Sequence, residues 1–431
     1  MMARTFLAVL VAGIAPLLVL TLIVTGTGFG LVEWQPPNIW TDQFGTPSSI
    51  NEVTALTVDA TSLYAAGYVG YSSSQYVHPT PSYLFLSRYD LSGRKVWTQQ
   101  LGSLNFSEVS AIAVGSNSIY VAGDLSGSTF IRKYDLNGSE AQFQTGSGVG
   151  AMSLSVGPSS LFAAAGTSLR EYDFDGNVVW TKTWGNSTGS RPSVFAASTE
   201  VYATSEVSCS GCNSVIAKYD FNGTLEWTRQ IKDSSNSTGG WRSTGITGDA
   251  TGIYVAGNYA IGRTHAGFVQ KYDWDGKQGW SVQIAAPDFS GLGDISLSAT
   301  TSGVYLMTTT SKDNTFLMKY NAGNGNQVWS FQIPAIGTLS VGQNGVYVGG
   351  SVSNNAGYCC DAYIADFDQS NSLILFGMNP PYSFLAVAAI AGASILLVLW
   401  QRKRYEKKAR PRSSSIDYRS RNRPAETQRP Q

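Results

Sequence analysis

Catalytic side chains are scarce in this 431-residue sequence, which holds two histidines, four cysteines and only 13% charged residues. With so few histidines, a Ser-His-Asp mechanism would have to recruit His78 or His265. No Gly-rich phosphate loop, G-x-S-x-G elbow or H-E-x-x-H helix is present. Lys and Glu are sparse, while Ser, Thr, Gly, Tyr and Trp abound, a composition of short strands and polar turns rather than helix bundles. The expectation is a protein that is not an enzyme and carries no cofactor.

The zero net charge conceals an asymmetry. The tail 401–431 carries eleven Lys/Arg against three Asp/Glu, a net +8, and the body between Arg4 and the tail carries 17 against 26, a net −9. An acidic body lacks the basic footprint that phosphate contacts require, so no nucleic-acid partner is expected.

Two apolar stretches bracket the chain. Residues 5–25 follow Arg4 and read as a signal peptide or signal anchor. Residues 382–400 (YSFLAVAAIAGASILLVLW) are uncharged and long enough to span a bilayer. QRKRYEKKARPR follows at once, which places the tail in the cytoplasm by the positive-inside rule. The expected organisation is a signal or anchor at 1–30, an ectodomain at 31–378, a transmembrane helix at 379–401 and a disordered basic tail at 402–431. That tail would also adhere to anionic membrane lipid. Five N-glycosylation sequons, at Asn105, Asn137, Asn186, Asn222 and Asn236, all fall in the ectodomain and agree with an extracytoplasmic, cell-membrane location.

Internal repetition is the strongest signal. An apolar strand ends in Tyr-Asp, a Gly turn follows, and a strand centred on Trp comes next. The copies are FLSRYDLSGRKVWT (85–98), IRKYDLNGSEAQF (131–143), LREYDFDGNVVWT (169–181), IAKYDFNGTLEWT (216–228), VQKYDWDGKQGWS (269–281) and LMKYNAGNGNQVWS (317–330). A degenerate seventh is YIADFDQSNS (363–372), and the steps between copies are 45, 38, 47, 53, 48 and 47 residues. A second motif keeps the same rhythm: LYAAG (63–67), IYVAG (119–123), LFAAAG (161–166), VYATS (201–205), IYVAG (253–257), VYLMT (304–308) and VYVGG (346–350). Four short strands, A to D, recur every 40–50 residues, with a Gly-assisted tight turn between C and D. That is the blade of an all-β, seven-bladed propeller. These YVAG and KYD-x-x-G-x-x-x-W motifs resemble the seven-bladed β-propeller repeat family of prokaryotic surface proteins, and more loosely the quinoprotein-like propellers. The resemblance implies the fold and says little about function.

Two segments compete to close the ring. IWTDQFG (39–45) matches the D strands VWTQQLG and VWTKTWG and is favoured as strand D of blade 7, while LILFG (373–377) is the alternative. N-terminal closure would bring the chain in and out at the C–D face and leave the B–C and D–A loops on the opposite face.

All the cysteines and histidines fall in B–C segments. Disulfides Cys209–Cys212 and Cys359–Cys360 are favoured over a zinc site, because blades 4 and 7 are not neighbours in a ring of seven. The repeated Asp90, Asp135, Asp173, Asp220 and Asp273 are read as acceptors for turn amides, and Trp97, Trp180, Trp227, Trp280 and Trp329 as packing between blades. The Tyr-rich segment 68–83, with Tyr71, Tyr76, His78 and Tyr83, is the candidate binding loop for an extracellular protein or carbohydrate. A propeller enzyme, either hydrolase or quinoprotein-like, and a structural envelope scaffold are the alternatives.

Overall fold

A computed structural model describes residues 38–45, 49–71, 83–103, 108–125, 128–143, 152–166, 168–183, 192–206, 214–231, 240–261, 264–284, 292–310, 314–353 and 360–367. These residues form 28 strands arranged as seven four-stranded antiparallel sheets. All belong to one unit, Trp34–Ser370.

The N-terminal strand β1 (Asn38–Phe44) stands apart from its neighbours in sequence. Blade 1 is β2 (Ile50–Val58), β3 (Ser62–Tyr71), β4 (Tyr83–Asp90) and β5 (Lys95–Ser103). Blade 2 is β6 (Glu108–Val114), β7 (Ser118–Leu125), β8 (Ser128–Asp135) and the short β9 (Glu140–Ala141). Blade 3 is β10 (Ser153–Val156), β11 (Leu161–Ala165), β12 (Ser168–Tyr172) and β13 (Val178–Thr183). Blade 4 is β14 (Ser193–Ala196), β15 (Glu200–Glu206), β16 (Ser214–Asp220) and β17 (Leu225–Gln230). Blade 5 is β18 (Trp241–Asp249), β19 (Gly252–Ile261), β20 (Thr264–Tyr272) and β21 (Gln278–Ile284). Blade 6 is β22 (Leu292–Thr300), β23 (Gly303–Thr310), β24 (Thr315–Tyr320) and β25 (Gln327–Ile333). Blade 7 is β26 (Ile336–Val341), β27 (Val346–Ser353) and β28 (Cys360–Phe367), completed by β1.

The N-terminal strand therefore closes the ring. β1 pairs antiparallel with β28, with Trp40 opposite Asp366 and Asn38 opposite Phe367. The segment 373–377, its competitor, lies outside the described residues. Because Asn38 and Phe367 are partners, the chain enters and leaves the ring at the C–D turn end of the blades.

The core lies between adjacent sheets. The second residue of each φ-Tyr-φ motif, in strand B, is fully buried: Tyr64, Tyr120, Phe162, Tyr202, Tyr254, Tyr305 and Tyr347. One apolar cluster joins Ala55, Tyr64 and Leu84 of blade 1 to Val109, Ile119 and Tyr134 of blade 2, and other clusters bridge other seams in the same way. Strands B and C are buried on both faces and read as apolar runs, whereas the D strands alternate, as in β13 and β21.

Two details differ from the sequence expectation. His265 is the second residue of β20, opposite Ala260, and is not in a loop; only 262–263 connect β19 to β20. Cys360 likewise opens β28 rather than sitting within the preceding connection. In both cases the ladder runs further toward the loop face than the motif core suggests, because backbone pairing continues where side-chain patterning fades. Among the described residues no helix is long and apolar enough to cross a membrane, and 5–25 and 382–400 lie outside them.

Candidate functional site

The ring has two faces of different chemistry, and seams that lock them. The outer part of each seam is built from the C–D motif. The D-strand Trp of one blade covers the turn of the next and donates its indole N–H to a turn carbonyl. The pairs are Trp40 to Leu91 O at 3.2 Å, Trp97 to Leu136 O at 3.2 Å, Trp180 to Phe221 O at 3.2 Å and Trp280 to Ala322 O at 3.1 Å. The turn Gly is required twice over: Gly93 has φ +88°, and a Cβ there would lie 2.5 Å from the Trp40 ring. At the seam between blades 4 and 5, Arg229 takes over, reaching Gly276 O at 3.0 Å and Asp275 O at 3.1 Å while lying over Trp227. The tryptophans are thus packing residues, as expected.

The repeated aspartates are consumed by the same turns. Asp90 Oδ1 accepts from the amides of Ser92 and Arg94, Asp173 Oδ1 from Asp175 and Asn177, and Asp220 Oδ1 from Asn222 and Thr224, all at 2.7–3.1 Å. Asp135 and Asp273 do the same. Hydrogen bonds from Ser92 and Arg94 hold the Asp90 carboxyl down to about 2. Carboxylates so occupied have little left for calcium or for proton transfer, and among the described residues no cluster of acids, histidines or cysteines has metal-binding geometry. Asn137 and Asn222, two of the sequon residues, occupy exposed positions in these turns; Asn105, Asn186 and Asn236 lie outside the described residues.

Sequence reasoning missed the inner seam. Hydroxyls on strand A of one blade bridge to the backbone of strand A in the next. Thr54 Oγ1 donates to Val109 O at 2.6 Å, and Ser155 Oγ accepts from Ala196 N at 2.9 Å. Thr244 Oγ1 donates to Ile295 O at 2.9 Å, and Ser296 Oγ accepts from Leu339 N at 3.1 Å. Single Ser and Thr residues in a Ser/Thr-rich chain give no pattern from which this is readable.

The opposite face carries the longer connections, 72–82, 144–151, 184–191, 207–213, 232–239 and 285–291, none of them among the described residues. At its base are strand ends bearing charge. Tyr68 donates to Glu52 Oε2. Burial pushes the Glu52 carboxyl upward against that hydrogen bond, and the charge of Glu108 on the next blade adds to the rise. Glu206, nearly buried, lies 3.5 Å from the exposed Arg242, and Gln43 donates to Asp361 Oδ2 at 3.0 Å. Of the candidate loop, Tyr71 ends β3 opposite Ile50, and the half-buried Tyr83 opens β4 and packs on the core between blades 7 and 1. Tyr76, His78, Cys209, Cys212 and Cys359 lie outside the described residues.

A closed ring of seven four-stranded blades, locked by indoles over turn glycines, defines a seven-bladed β-propeller. In agreement, a sequence family described as outer membrane protein assembly factor BamB matches residues 165–344. Among solved structures, BamB from Moraxella catarrhalis is 14% identical, covering 78% of this chain and 99% of that one, at a TM-score of 0.43. Raptor from Chaetomium thermophilum is 11% identical at a TM-score of 0.51, covering 78% of this chain but only 29% of that much longer one. The Pan2 WD40 domain of Neurospora crassa is 11% identical at 0.45, covering 78% and 96%. No curated protein matches the sequence. At 11% identity the likeness to Raptor speaks for the fold alone.

Proposed function

We propose that this chain is a membrane-tethered, extracytoplasmic and non-catalytic propeller that binds a protein partner through its B–C and D–A face. The observation that carries this reading is the pairing of Asn38 with Phe367. Both tethers then leave from the C–D end, where turn carboxylates and carbonyls are already satisfied within the ring. The opposite end of the blades is where the strands flanking the connections 72–82, 207–213 and 232–239 terminate, and the first of these belongs to the Tyr-rich 68–83. Tyrosine supplies contact area and a hydroxyl at modest entropic cost. The matching family's description as an assembly factor favours a protein partner over a carbohydrate, and a role as an envelope assembly scaffold is the same reading with a larger partner.

The full chain in lipid nanodiscs, probed on protein and glycan arrays, tests the proposal. Specific capture of a protein, weakened by Tyr71→Ala and Tyr76→Ala with unfolding unchanged, is the expected result. A glycan hit would replace the partner class. Turnover of a substrate by the purified chain would overturn the non-catalytic reading.

A further inference from the structure

The residue before the motif Tyr in strand C faces the seam to the next blade, and in five blades it is a cation: Arg88, Lys133, Lys218, Lys271 and Lys319. Three of these cross the seam to the turn carbonyl of the following blade. Arg88 reaches Leu136 O at 2.9 Å, Lys133 reaches Phe174 O at 2.8 Å and Lys271 reaches Ala322 O at 2.9 Å. Arg88, Lys218, Lys271 and Lys319 also lie over the strand-B Tyr of their own blade, 5.2–5.9 Å from the ring centroid. The clasp thus supplies a donor to a carbonyl and a charge to an aromatic face.

The other two blades break this pattern with acids, Asp366 in blade 7 and Glu171 in blade 3. Glu171 occupies the clasp position at 5% exposure, and its Oε2 has no hydrogen-bond partner among the described residues. Its cross-strand partners are Phe162 and Trp180. Phe162 replaces the Tyr found at this motif position in the other blades, so no phenol is available as a donor. Trp180 already gives its N–H to Phe221 O.

We propose that Glu171 makes the seam between blades 3 and 4 a proton-sensitive joint, closed when the carboxyl is neutral and loosened when it is ionised. A carboxylate here can donate nothing to the turn carbonyl that a lysine would clasp, and it sits among aromatic rings without a counter-ion. Neutral, it carries an O–H that donates across the seam and no longer demands solvation.

The charged neighbours are otherwise engaged. Lys182 on β13 lies over the Trp180 ring at 5.8 Å, Lys133 of blade 2 is held on Phe174 O, and Asp173 caps its own turn. In blade 4, Lys218 pairs with Glu226 at 2.9 Å and Glu200 at 3.5 Å, and Asp220 caps its turn. Strands β10, β11 and β14 bring no titratable side chain. Burial pushes the Glu171 carboxyl above its ordinary value, with Ser160 and Trp180 pulling the other way. For an acid so raised, the stabilising form is the protonated one. Stability is then full at low pH and falls as pH rises from the ordinary carboxylate range through the raised value.

Hydrogen exchange by mass spectrometry on the full chain in nanodiscs, from pH 5 to pH 8 and corrected for intrinsic exchange, tests this. The blade 5–6 seam, clasped by Lys271, serves as the internal reference. Protection in peptides covering 178–183 and 221–224 should fall relative to that reference, by about tenfold for each unit by which the carboxyl is raised. Glu171→Gln should flatten this dependence, and Glu171→Lys should flatten it and leave the seam the better protected of the two. Parallel behaviour of both seams in the unsubstituted protein, or a pH dependence that survives in Glu171→Gln or Glu171→Lys, would overturn the proposal.

Discussion

The inner and outer parts of each seam solve one problem with different means. On the outside, a large aromatic ring buries a turn and adds a single hydrogen bond, as Trp280 does on Ala322 O. On the inside, a small hydroxyl such as Ser296 bridges two backbones and buries almost nothing. Strand A sets its hydroxyls beside buried aliphatics such as Ile295 and Leu339, which already fill the seam, whereas strand D has a turn of the next blade to cover and uses an indole for it. Apolar area stabilises in proportion to what is removed from water, whereas a hydrogen bond yields only a small net gain. The outer seam therefore carries more energy and the inner one more registration.

That contrast is open to measurement. Trp329→Ala has the largest expected effect, because this ring is only 7% exposed and packs on Tyr305 and Phe331. A loss of about 3–5 kcal/mol in denaturant unfolding is expected. Next comes a pair of glycines. Gly93→Ala meets both a left-handed φ and the Trp40 ring, while Gly166→Ala at φ +50° meets open space. Costs of about 3 and about 1 kcal/mol are expected, and equal costs would mean that the ring does not press on the turn.

Ser296→Ala tests the inner seam. It leaves the buried Leu339 amide without its acceptor, for a loss of about 1–2 kcal/mol. A cost above that of Trp329→Ala would reverse the ranking of the two seams. Smallest is the turn carboxylate. Asp90 is held down to about 2 from 3.8, so its contribution is present at neutral pH and is lost as pH falls through that interval. Asp90→Asn should cost a little stability at pH 7 and make acid unfolding slightly less steep, the difference from the unsubstituted protein vanishing at low pH, as followed by tryptophan fluorescence.

Much of the fold was legible because its periodic residues do periodic work. Tyr202 and Tyr254 recur because each blade buries one strand-B aromatic, and Asp173 and Asp220 recur because each C–D turn needs its amides capped. Trp40 named the closing strand, since its Trp-Thr pair matched the D strands with which it is equivalent in space. The site was less legible. Glu52 and Glu108 lie far apart in sequence and meet only across a seam, and Ser155 or Thr244 look like any other hydroxyl. Glu171 was visible in LREYDFDG as a departure from KYD, but its meaning depends on the Phe221 carbonyl opposite.

By itself the sequence determined the repeat, the number of blades and the turn chemistry, because each rests on local spacing and on residues with strong conformational preferences. Only the tertiary structure decided which carbonyl each indole and lysine finds, while it bore out the closing strand that the Trp-Thr pair of 39–45 had favoured. The indole bonds join residues about 40 positions apart. They are set by the packing of one blade on the next, which no local pattern encodes.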